Sequence, residues 1–200
     1  LAPNGATSLT LALECLHTAG FAHLSLSPHT VSISSRGYLG LRTPDTWRNL
    51  LVIGSPIVVG GVTNHAGRYA PPFPFERLGP SVDAYGFATT LAAAVVGREL
   101  GDEDFVAGRL DGERLAQDLR LVGWPSRNLS RHLGRSLAAG TEPDATKRAK
   151  PSALATTLHH LMSATTAPTR PHHQSELTLT ILDILLFTAL TLSAFALLTP

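Results

Sequence analysis

Cysteine is nearly absent. Cys15 is the only one in 200 residues, which rules out an internal disulfide and with it the disulfide-stapled class of small secreted folds. Charge is scarce as well: 16% of the chain is charged and the formal net charge is +1. No broad field of one sign therefore argues for nucleic acid, although nine histidines would add positive charge in an acidic compartment. Lysine is confined to Lys147 and Lys150, and the other fourteen basic residues are arginine, a bias from which no binding site is read. The chain opens on Leu1 rather than methionine, so the natural N-terminus is expected to be missing, through processing, truncation or an unassigned upstream part, and no targeting signal is legible.

The usual constellations of catalysis and metal binding are also missing. No serine stands in a G-x-S-x-G elbow. His159-His160 and His172-His173 are adjacent pairs that diverge by about 100° on a helix, and no cysteine or carboxylate set completes a metal site around them. Gly60-Gly61 lacks the strand-glycine-helix context of a phosphate loop and reads as a turn. The sequon at Asn128 falls in a predicted helix.

What the chain does contain is a long apolar run at its end. "LTLTILDILLFTALTLSAFALL", Leu177 to Leu198, holds one charge, Asp183. At about 1.5 Å rise per residue it can span a hydrocarbon core of about 30 Å, so residues 177–198 read as a transmembrane helix. Asp183, in the second turn, is expected at the interface or against another subunit's helix. Arg170, His172 and His173 precede the run and only Thr199 and Pro200 follow it. The positive-inside bias thus puts the globular part on the cytoplasmic or matrix side. Residues 163–176, rich in Ser, Thr and Pro, read as a linker.

Residues 1–162 are expected to form one mainly α domain. A leucine-rich helix runs to a C-cap at Gly20, and "TVSIS" and "YLGLR" suggest a small β-hairpin across "SRG". Residues 44–82, with many Pro and Gly, read as irregular. Asp83 to Val96 is apolar all round, as in a buried helix. Further helices are expected from Leu110 to Val122, from an N-cap at Ser126 to about Ala139, and from Pro151 through Leu161.

The order and spacing of several motifs resemble the C-terminal lobe of a eukaryotic-type protein kinase. "ALECLHTAGFAHLSLSPHTVSIS" resembles the helix end and catalytic loop of that family, "LH-x-x-G-(two)-H-R-D-L-K-P-x-N", with His17, Gly20, His23, Leu26, Pro28 and Val31 in phase. "GYLGLRTPD" resembles the "G-x-V-K-L-x-D-F-G" stretch, "RYAPPF" the "Y-x-A-P-E" close of the activation segment, and "SVDAYGFATTLAAAVVGREL" the family's central helix. "EPDATKRAKPSALATTLHHL" resembles the "D-P-x-x-R-P-(S/T)" entry to its last helix. The resemblance implies that His23 packs in the core and that Asp83 caps backbone donors of the loop. It also puts Ser25 at the catalytic aspartate, Ser27 at the loop lysine, Thr30 at the metal-binding asparagine and Thr43 at the DFG aspartate. Phosphoryl transfer needs charge or amide at those positions, and neutral hydroxyls are poor magnesium ligands. Pro72 stands for the APE glutamate and Lys150 for its arginine partner, so that ion pair is expected to be lost from both sides.

The resulting expectation is a non-catalytic, membrane-anchored accessory or scaffold subunit of a larger membrane complex, in the mitochondrial inner membrane or another organellar membrane. Its partners would be other subunits and the lipid bilayer, with no cofactor, metal, nucleic acid or small-molecule substrate. Two other readings fit the same residues: a signalling pseudokinase that binds a kinase or client allosterically, and a weakly active kinase-like enzyme.

Overall fold

The computed structural model describes residues 3–35, 39–41, 67–72 and 79–166. Leu1–Thr165 form one compact unit. Thr43, the segment 177–198 with Leu177, Asp183 and Leu198, and most of residues 44–78 lie outside the described residues, as does the expected linker beyond Thr166. Among the described residues, no helix is long and apolar enough to cross a membrane.

The described part is mainly helical, with two small hairpins. Helix α1 is Pro3–Thr18. Strands β1 (Val31–Ile33) and β2 (Leu39–Leu41) pair antiparallel, Ser32 opposite Gly40. Helix α2 is Pro80–Val96. A second hairpin joins β3 (Phe105–Val106) to β4 (Arg109–Leu110). Three helices follow: α3 (Gly112–Leu121), α4 (Arg127–Ala139) and α5 (Pro151–Thr166). The last runs through Ser163–Thr166, so the first four residues of the stretch expected as linker are helical.

Helix α2 is the centre of the fold. Its residues are buried on every side, from Val82 to Val96 with few exceptions, which is the environment its unbroken apolarity demands. Pro80 suits the first turn, where a backbone N–H has no helical acceptor, and Gly97, at φ 73°, ends the helix with its N–H on the Ala93 carbonyl at 2.9 Å. Phe87 on α2 joins Leu9 and Leu13 of α1, Leu119 of α3, Leu133 of α4 and Leu158 of α5 in one core. Close approach replaces side chains at selected points. A Cβ at Gly86 would stand 3.0 Å from both Cβ and O of Leu26, and one at Gly134 would collide with the Gly112 carbonyl oxygen. Glycine at 112 and 134 is thus what lets α3 and α4 touch backbone to backbone.

The second hairpin and the start of α3 depart from expectation. Leu110, expected to open a helix, lies in β4, and Asp111 becomes the N-cap: its Oδ1 accepts from the N–H groups of Glu113 and Arg114 at 3.0 and 3.1 Å. Ala107 and Gly108 both take positive φ (50° and 79°), the geometry of a two-residue turn matched to strand twist. Ser126 holds the expected N-cap position of α4 in extended backbone but makes no side-chain cap bond. Below the hairpin, Asp104 is a buried acceptor. It receives both terminal nitrogens of Arg98 at 2.7 and 2.8 Å, the Nε of Arg114 at 3.2 Å and the Gly101 N–H at 2.7 Å. Arg98 also reaches Asp118 on α3.

Candidate functional site

The loop after α1 is held by one carboxylate. Gly20, at φ 85°, turns the chain out of the helix with its N–H on the His17 carbonyl. Asp83, in the first turn of α2 and 1% exposed, then takes the loop in its two oxygens: Oδ2 accepts the His23 N–H at 2.8 Å and Oδ1 the Leu24 N–H at 2.7 Å. Leu24 is buried with φ 60°, a left-handed conformation that costs a residue with a Cβ about 1–2 kcal/mol. Two charge-assisted hydrogen bonds offset that cost. The same Oδ2 meets His17 Nε2 at 2.8 Å, so Asp83 ties α1, the loop and α2 together. His23 itself is buried at 6% exposure.

Past that grip the loop is closed by hydroxyls. Thr30 Oγ1 accepts the Ser27 N–H at 2.9 Å and lies 2.8 Å from the Ser25 carbonyl and 3.1 Å from the Ser27 carbonyl, to which it donates. The Thr30 N–H returns to the Ser27 carbonyl at 3.0 Å. Ser27 is buried and Ser25 half-buried. The only titratable side chain between Leu24 and Thr30 is His29. It is exposed and meets the equally exposed Glu99 at 3.1 Å, a surface pair of small energetic weight. Chemically, this arrangement offers a turn closed by the Thr30 hydroxyl on its own backbone, and none of Ser25, Ser27 and Thr30 carries a charge with which to hold a metal or orient a nucleophile.

Beside the loop, a cleft of about 270 Å³ is lined in part by His17, Glu14, Ser81, Arg148 and Lys150. Arg148 is the buried cation of that lining. Buried at 6% exposure, it donates from Nε to the Glu142 carbonyl at 2.9 Å and from one terminal nitrogen to the Ser81 carbonyl at 2.8 Å. Its guanidinium also lies 5.4 Å from the centre of the Tyr85 ring. Lys150 is exposed. Arg148 thus joins the approach to α5 with the start of α2 through a planar fork that serves two carbonyls at once. Pro72 is exposed, and Tyr69, Ala70 and Pro71 before it are buried.

Of the sequence-derived positions, His23, Ser25, Ser27, Thr30 and Asp83 come together here, while Thr43 lies outside the described residues. His17, Arg148 and the hydroxyl closure of the loop were not anticipated as parts of the site. His17 carried a readable signal, because it stands in phase with the loop motif, in the last turn of α1. Among the described residues no cluster of three or more His, Cys, Asp or Glu side chains is placed to hold a metal. No model of a known protein family matches the chain, and no curated protein does.

Proposed function

We propose that this chain is a non-catalytic scaffold built on a degenerate fold like the C-terminal lobe of a protein kinase, acting as a membrane-anchored accessory subunit of a larger, organellar complex. The observation that carries the non-catalytic part is the state of Thr30. At the position where the resemblance expects a metal-binding amide, its hydroxyl is engaged by Ser25 and Ser27 of the same loop. The grip of Asp83 on His23 and Leu24 supports the kinase-like part, since it is the capping role that the resemblance implies. The membrane part rests on the apolar run 177–198.

Two measurements test this reading. Thermal unfolding with ATP and magnesium is expected to leave the midpoint unchanged, and a saturable upward shift would overturn the non-catalytic assignment. Purification in mild detergent is expected to bring defined partner proteins along, and changes at Asp183 or at Ser193 and Ala194 to release them. Retention of a soluble partner after removal of 177–198 would favour a signalling pseudokinase instead.

A further inference from the structure

We infer that the turn between α3 and α4 is a lipid-docking tip that meets an anionic bilayer surface, inserting Leu121 and Val122 while Arg120, Arg127 and Arg131 engage phosphate headgroups. Leu121 is 85% exposed and Val122 52%, two of the four large apolar residues left exposed among the described residues and the only adjacent pair. A lone exposed leucine is ordinary; a neighbouring pair in a turn flanked along the chain by the exposed Arg120 and Arg127 is a different arrangement. The display is rigid. The N–H groups of Val122, Gly123 and Trp124 bond to the carbonyls of Asp118, Arg120 and Leu119 at 3.0, 3.2 and 3.0 Å, and Gly123 takes φ 93°.

The charge around the tip selects the partner. Arg120, Arg127 and Arg131 line one cleft of about 250 Å³ together with Glu113 and Gln117, a volume suited to a phosphate-bearing headgroup. Glu113 is the only carboxylate there, and it pairs with Arg135 at 3.1 Å and with Arg131 of the same cleft at 3.7 Å. Arg120 and Arg127, both exposed, have no acidic partner among the described residues. Guanidinium forks match phosphate oxygens in geometry, and the half-buried Trp124 beside the apolar pair belongs to the residue type that settles at the headgroup level. Apolar apex, aromatic shoulder and arginine flank together fit a negatively charged lipid surface better than an acidic protein, which would leave Leu121 and Val122 without an apolar counterpart.

The inference extends the membrane reading above, and it does not require residues 177–198 to span. The test uses the full chain carrying Trp47→Phe, so that Trp124 is the only tryptophan, with vesicles of phosphatidylcholine bearing brominated acyl chains, alone or with about one third phosphatidylserine. Flotation with phosphatidylcholine alone reports on the C-terminal run. Quenching of Trp124 that appears only with phosphatidylserine reports on the tip. The triple change Arg120→Gln, Arg127→Gln, Arg131→Gln is expected to lower the docked-to-undocked ratio about a hundredfold, raised salt to do likewise, and the triple Arg→Lys variant to dock substantially. Leu121→Ser with Val122→Ser is expected to abolish quenching, with helical circular dichroism unchanged in every variant. Trp124 emission indifferent to phosphatidylserine would overturn the inference whether or not the chain floats, and so would protection of the arginines by an acidic polypeptide with no response to vesicles.

Discussion

At the scale of single residues, Asp83 and Thr30 organise the loop. Asp83→Ala would leave the N–H groups of His23 and Leu24 buried without an acceptor, and Leu24 in a left-handed conformation with nothing to hold it. A loss of about 3–5 kcal/mol is expected, in the range for breaking a buried charged hydrogen-bond set, measured by urea unfolding. Asp83→Asn, which keeps one oxygen acceptor, should lose less. Thr30→Val keeps shape and removes the hydroxyl that serves Ser27 and Ser25, and about 1–2 kcal/mol is the expected cost. A Thr30→Val protein as stable as the parent would show that the hydroxyl closure contributes nothing.

Among the elements, the contact of α3 with α4 is the most demanding. Gly134→Ala drives a methyl into the Gly112 carbonyl oxygen and is expected to destabilise by about 1–3 kcal/mol through forced separation of the two helices, seen as a lower thermal midpoint. The Asp104 cluster gives a pH signature at the same scale. Arg98, first among its neighbours, holds the Asp104 carboxyl below its ordinary value of 3.8, so the folded state binds this proton less readily than the unfolded one. The stabilisation is then complete above that ordinary value and is lost as pH falls through the lower, folded one. Against the parent, Asp104→Asn should show a flatter fall in thermal midpoint below about pH 4.

Much of this architecture was legible beforehand, for physical reasons that differ by element. Helix α2 announced itself because burial on all sides requires apolarity on all sides, and α1 and α5 because their breakers, Gly20 and Pro151, sit where a helix must stop or can start. The β3–β4 hairpin was missed because two-residue strands are too short to show alternation, and Gly108 was the sole local cue. At the site, His23 and Asp83 could be placed only through motif order, since nothing in the local composition marks a carboxylate that will bond backbone sixty residues away. Arg148 was not singled out because nothing in the local composition marks which arginine will be buried.

For the molecule as a whole, Leu1–Thr165 being a compact unit predicts that a chain ending at Thr166 keeps the helical circular dichroism and a thermal midpoint within a few degrees of the full chain; a collapse of either would mean that the later residues complete the core. Arg148 acts on the same scale, binding the approach to α5 onto the start of α2, and Arg148→Lys, which cannot serve two carbonyls from one plane, should lower stability by about 1–3 kcal/mol in urea unfolding.

The carboxylate of Asp83 also bears on time. Surface loops ordinarily exchange their amide hydrogens with solvent quickly, by small local openings. The amides of His23 and Leu24 cannot do so without stripping two partners from a buried charge, and lifting the loop would also break the close packing of Leu26 on Gly86 of α2. In deuterium these two positions should therefore exchange as slowly as the helical core, opening only when the molecule opens as a whole.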